Sequence, residues 1–143
     1  MPKGLITVLF TGVFMSALDT AIVGPAIPVL RETFGVDNRA VGLVMSVFVL
    51  CSLCSTALMA NLSDRFGRRP IYLFSVSTFA LGSLLIALST SFWMVIVSRA
   101  IQGIGAGGIT PTASAVVGDM FAPAQRGKML GLIGATYGMA FVL

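Results

Sequence analysis

Long apolar runs, each about as long as a bilayer is thick, divide this chain and restrict its fold more than any other feature. A helix that crosses a membrane needs about 20 predominantly apolar residues. Such runs occupy residues 5–30, 41–62, 71–88 and 92–117, and a fifth opens near Lys128 and is still running at Leu143. Of the 143 residues, 57% are hydrophobic and 10% are charged, whereas soluble domains carry about 25% charged residues. The expected fold is an all-α membrane protein whose helices pack against one another and against the lipid bilayer. Sixteen residues of a fifth helix, 128–143, rise roughly 24 Å, short of a hydrocarbon core of about 30 Å. The sequence is therefore expected to stop inside a helix and to be the first part of a longer protein.

The first run is not expected to be a cleaved signal. It is too long, carries Asp19, and has no small-residue cleavage site before the next polar loop. Loop charges set the orientation. Arg65, Arg68 and Arg69 follow the second run, Arg126 and Lys128 follow the fourth, and Lys3 precedes the first. The other side has only Arg31 and Arg39, with Glu32 and Asp37 beside them. This asymmetry places the N-terminus in the cytoplasm; the plasma membrane is the expected location. The net charge of +4 is spread over short loops, with no stripe or patch of the kind that holds nucleic acid, so no nucleic-acid partner is expected.

Catalysis and metal binding find little support. The chain has no histidine, and its two cysteines, Cys51 and Cys54, lie inside an apolar run. Two thiols cannot close a four-ligand metal site, and apolar surroundings disfavour a reactive thiolate. They read as small buried residues. No serine, cysteine or acidic pair stands in a catalytic arrangement. Neither an enzyme, a cofactor nor a metal is expected.

Asp19 and Arg99 are the charges that lie well inside the runs. A charge at a helix centre costs about 2.5–3.5 kcal/mol on insertion scales, and such residues usually face a bundle interior or a wet cavity. Asp19 lies roughly 16 Å, and Arg99 roughly 10 Å, from the outer face at 1.5 Å per residue. A long arginine side chain can bridge that difference. Gln102 lies three residues beyond Arg99 on the same helix face. Two readings stand side by side. The pair neutralises itself and pins two helices, or Asp19 takes and releases a proton while Arg99 and Gln102 tune it. Desolvation favours a neutral acid and a nearby cation favours a carboxylate, so hydration of the pocket would set the balance.

Glycines thin two of the runs: Gly103, Gly105, Gly107 and Gly108 in the fourth, and Gly127, Gly131, Gly134 and Gly138 in the fifth. Small residues at such spacing let helix backbones approach closely in lipid. Gly24-Pro25 and Thr110-Pro111 also hint at two three-helix units, each opened by a proline-bearing helix.

Between the second and third runs lies Ala60-Asn-Leu-Ser-Asp-Arg-Phe-Gly-Arg-Arg-Pro-Ile-Tyr-Leu73. It resembles the signature loop of the major facilitator superfamily, Gly-x-Leu-Ala-Asp-Arg-x-Gly-Arg-Lys/Arg-x-x-x-Leu. Leu62, Asp64, Arg65, Gly67, Arg68, Arg69 and Leu73 match, while Ala60 and Ser63 depart from it. Val95-x-x-x-Arg99-x-x-Gln102-Gly103-x-Gly105-Ala106-Gly107 is similar to the fourth-helix motif of the drug:proton antiporters of that superfamily. Leu18-Asp19-x-x-Ile22-Val23-x-x-Ala26-Ile27-Pro28 is similar to the first-helix motif of the 14-helix antiporters, with departures at Ala21, Gly24 and Pro25. Whether the parent protein has 12 or 14 helices stays open.

The resemblance implies the N-terminal part of a helical bundle, with a second half beyond Leu143. It implies a secondary transporter exporting lipophilic drugs or metabolites in exchange for protons by alternating access. Its partners would be protons, a small-molecule substrate and the bilayer. In that picture Arg99 serves proton coupling with Asp19 and Gln102, and Met15 and Ile22 accept the substrate. Asp64, Arg65, Gly67, Arg68, Arg69 and Asp119 form a conformational latch at the cytoplasmic side. Gly103, Gly105, Gly131, Gly134 and Gly138 pack helices. A sugar or organic-acid carrier sharing the loop, or a small membrane subunit that transports nothing, are the alternative functions.

Overall fold

The computed structural model describes residues 3–142, and the side chains of all of these except Lys3 and Leu5. Five helices follow one another: α1 (Lys3–Phe34), α2 (Asn38–Phe66), α3 (Arg68–Ala87), α4 (Phe92–Met120) and α5 (Pro123–Val142). Among the described residues there is no strand. The first four helices are long and apolar enough to cross a membrane. Leu143, the last residue of the expected fifth span, lies outside the described residues.

The helices outrun most of the apolar stretches that announce them, because hydropathy marks the part that suits lipid while caps mark where the backbone turns. Asp37 caps α2, its Oδ1 accepting the Ala40 N–H at 2.9 Å. Ser91 caps α4 by accepting the Met94 N–H at 3.3 Å. An N-cap oxygen of this kind satisfies a backbone donor that the helix itself leaves unpaired. α5 begins at Pro123 rather than near Lys128. Proline suits the first position of a helix, where its missing N–H costs nothing, and the charged Arg126 and Lys128 then fall within the first two turns. One residue, Gly67, separates α2 from α3. Its φ of +96° belongs to a region that side chains rarely enter, so the chain reverses there in a single step.

α4 is the central helix, and its glycines decide how near its neighbours come. Cβ atoms built on Gly103 and Gly107 would overlap the backbone of α2 at Phe48 and Ser52, and one built on Gly105 the backbone of α3 at Ser75 and Phe79. In the reverse sense, a Cβ on Gly82 of α3 would sit 2.7 Å from the Gln102 backbone nitrogen. Both flanking helices therefore touch α4 backbone to backbone, as in small-residue membrane interfaces. α1 joins this group through Tyr72 of α3, whose hydroxyl donates to the Leu9 carbonyl at 2.8 Å, and through the apolar core of Val13, Phe79, Ile109 and Ala113. Thr110 and Tyr137 share a hydroxyl bond of 2.9 Å between α4 and α5.

The stripe on α5 behaves differently. Gly131, Gly134 and Gly138 are exposed, and a Cβ on any of them would meet nothing within 4 Å. The packing expected of them has no partner among the described residues, because α5 turns Ile133, Thr136 and Ala140 inward instead.

Polarity is inverted relative to a protein in water. Ser16, Ser55, Ser63, Ser75, Ser98, Arg99, Gln102 and Thr112 are buried, whereas Leu50, Leu53, Leu84, Leu88 and Trp93 are exposed. An apolar exterior of this extent is at home against acyl chains.

Candidate functional site

The close approach of α2 and α3 to α4 builds a polar cluster inside the apolar bundle. Arg99 Nη1 donates to Asp19 Oδ2 at 2.7 Å and to Gln102 Oε1 at 2.7 Å. Gln102 Nε2 donates to Asp19 Oδ1 at 2.8 Å and to Ser83 Oγ at 2.8 Å. The Arg99 guanidinium carbon lies 5.5 Å from the Phe48 ring centroid, within the range of a cation–π contact. Four helices thus contribute: Asp19 from α1, Phe48 from α2, Ser83 from α3, and Arg99 with Gln102 from α4. Arg99 and Gln102, three residues apart, share a face as helical geometry requires.

Burial makes this cluster consequential. The Arg99 and Asp19 side chains are 9% and 18% exposed, and Gln102 is fully buried. Removing one partner from a buried ion pair costs about 3–5 kcal/mol, because the other charge is left uncompensated. Both carboxylate oxygens of Asp19 accept hydrogen bonds. Arg99 Nε has no hydrogen-bond partner among the described residues, so the guanidinium keeps a donor in reserve.

Met15 and Ile22 fare differently from the polar residues. Met15 is half-buried against the apolar core, and Ile22 is 60% exposed on the surface of α1. A cavity of about 560 Å³ includes neither among its lining residues. It is an open groove at the basic end of the bundle, walled by Val8, Leu9, Tyr72 and Met120 beside Arg68 and Asp119.

The loop residues form a second constellation around Arg68. Its Nη1 meets Asp64 Oδ1 at 2.5 Å and donates to Ser63 Oγ at 2.7 Å, and its Nε meets Asp119 Oδ2 at 3.0 Å. The α2–α3 turn is thereby tied to the end of α4. The partners are 30% to 62% exposed, a setting in which ion pairs contribute about 0–1 kcal/mol. Such a contact can be made and broken readily. Arg65 and Arg69 are exposed and form no ion pair among the described residues, and Gly67 supplies the reversal that presents Arg68.

The sequence model of the Major Facilitator Superfamily matches residues 9–143. The chain belongs to the Major Facilitator Superfamily. It is 40% identical over 141 residues to the uncharacterized MFS-type transporter YfiU of Bacillus subtilis (strain 168), a match covering 99% of this chain and 27% of that protein. It is 38% identical over 146 residues to efflux pump dotC of Dothistroma septosporum (strain NZE10 / CBS 128990), covering 99% of this chain and 25% of that protein. Identity to multidrug resistance protein 3 of Bacillus subtilis (strain 168) is 33% over 141 residues, with 99% and 27% covered. The chain spans about a quarter of the length of the curated relatives it matches.

Within this Major Facilitator Superfamily chain, three contacts escaped the sequence reading. Ser83 and Phe48 complete the intramembrane cluster, and Ser63 accepts a hydrogen bond from Arg68. Ser63 had a signal, since it departs from the signature loop by adding a hydroxyl where the pattern has alanine. Ser83 stands next to Gly82, which marks where α3 meets α4. Phe48 carries no mark that separates it from a lipid-facing aromatic residue.

Proposed function

We propose that this chain is the N-terminal part of a proton-coupled exporter of lipophilic compounds in the plasma membrane, with its N-terminus in the cytoplasm. The observation that carries the reading is the buried Asp19–Arg99–Gln102 cluster. In the proposed cycle Asp19 holds the proton, and Arg99 claims the carboxylate when the proton leaves. Gln102 donates to Asp19 and accepts from Arg99, so it links the two states. Exchange between ion pair and neutral acid is set by pocket hydration, which alternates as the bundle rocks against a second half around a midplane cavity. The Asp64–Arg68–Asp119 contact serves as a latch at the cytoplasmic side, with Arg65 and Arg69 holding the topology. Relatives named as an efflux pump and a multidrug resistance protein support export, and the apolar Met15 and Ile22 on α1 suit a lipophilic cargo. A carrier has no need of a catalytic residue or a cofactor, and the reading includes neither.

The test is Asp19→Asn in the full-length protein, assayed as proton-driven uptake of a lipophilic cation into inverted vesicles. The variant is expected to insert normally and to lose pH-gradient-driven uptake. Undiminished coupled uptake would refute the proton role of Asp19.

A further inference from the structure

Gly12 of α1 and Tyr72 of α3 are fitted to one another. Tyr72 is buried, and its hydroxyl donates to the Leu9 carbonyl at 2.8 Å and lies 3.2 Å from the Val8 carbonyl. A phenol has one hydrogen, so the bond is chiefly to Leu9 and is shared with Val8. A backbone carbonyl carries two lone pairs and can accept it without giving up its bond within α1. The hydroxyl reaches these carbonyls because Gly12 has no side chain. A Cβ built there would overlap the hydroxyl oxygen, and would stand 3.0 Å from the ring carbon that bears it and 3.1 Å from Val76 Cγ2.

We propose that Gly12 and Tyr72 are a matched socket and peg, a conformational device that locks the N-terminal half of α1 onto the first turns of α3 and keeps it there when the Arg68 contacts open. Tyr72 follows Arg68 by one turn on the same face of α3. Arg68 gathers α2 through Asp64 and Ser63 and α4 through Asp119, and Tyr72 adds α1. The first two turns of α3 thus clasp three helices at the basic end of the bundle. The two kinds of tie respond to different influences. The Arg68 contacts are solvent-exposed, so salt or a competing charge loosens them. The Tyr72 bond is neutral and buried, and neither influence reaches it. α1 therefore moves together with α3 and does not slide along it, whether the Arg68 contacts are made or broken. The device is independent of the proton role proposed for Asp19.

Amide hydrogen exchange of the full-length protein in lipid nanodiscs, read by mass spectrometry, tests the device. Tyr72→Phe keeps the ring and removes the peg's hydroxyl. It is expected to speed exchange over residues 8–16 of α1 by roughly two- to tenfold, the worth of one hydrogen bond, and to leave α2 at wild-type rates. Arg68→Gln, which breaks the exposed contacts, is expected to leave residues 8–16 unchanged. Gly12→Ala is expected to speed the same residues, and to add far less in the Tyr72→Phe background, where the oxygen it would strike is gone. Wild-type rates over residues 8–16 in Tyr72→Phe would overturn the proposal. So would an equal acceleration of those residues by Arg68→Gln, or an effect of Gly12→Ala that is the same in both backgrounds. If Gly12→Ala fails to insert, the comparison of Tyr72→Phe with Arg68→Gln decides alone.

Discussion

At the scale of single residues, Arg99 has the most to lose from substitution. Its Nη1 serves Asp19 and Gln102 together, so Arg99→Ala leaves a buried carboxylate without a cation and a carboxamide oxygen without a donor. A destabilisation of about 3–5 kcal/mol is expected from the ion pair. Proton coupling in vesicles should be lost while the protein remains in the membrane. Arg99→Lys keeps the charge without the planar guanidinium that lies over Phe48, and is expected to retain part of the coupling. If Arg99→Ala lowers only the amount of protein and leaves coupling per molecule unchanged, the pair is a structural pin. This cluster was legible in the sequence because a charge in an apolar run is costly and rarely lacks a partner, and because the i, i+3 spacing puts Gln102 on the same face as Arg99. Ser83 was not legible. A serine inside a membrane helix costs little, and its meaning depends on which face of α3 meets α4.

Among the elements, α4 sets the geometry because its small residues determine the distance to both flanking helices. A methyl group on Gly105 would fall onto the backbone of α3 at Ser75 and Phe79, and backbone cannot give way as a flexible side chain can. Gly105→Ala is therefore expected to destabilise the protein by about 1–3 kcal/mol, as overpacking generally does. It should also draw Ser83 away from Gln102. A thermal unfolding scan in detergent tests the first expectation, and an unchanged midpoint would show that the α3–α4 contact is looser than described. The glycine spacing of α4 was a readable signal. The similar spacing on α5 was not sufficient, because a stripe of small residues gives no indication of whether a neighbouring helix covers it. Helix ends were legible only to the extent that apolar runs and helices coincide. Asp37, Ser91 and Pro123 set the true starts by capping and by proline geometry, which hydropathy does not register.

Across the whole molecule, the two polar constellations sit at different depths and have different strengths. The Arg68 contacts are solvent-screened and weak, as the proposed latch requires. The Asp19–Arg99 pair is largely buried, as the proposed proton site requires. Tyr72 links the two regions, since its hydroxyl ties α3 to α1 at Leu9 on the wall of the groove beside Arg68. The inverted polarity of the bundle explains why membrane residence was plain from composition. The depth of single apolar side chains was not: apolarity alone could not separate Met15, half-buried against the core, from Ile22, exposed on α1.

The most direct test of the central claim measures protons rather than transport. Substrate is added to the purified full-length protein in weakly buffered detergent solution, and the change in pH is recorded. Proton release on substrate binding is expected from the wild type and none from Asp19→Asn, with substrate binding retained in both. Equal proton release from Asp19→Asn would contradict the assignment of Asp19 as the proton carrier.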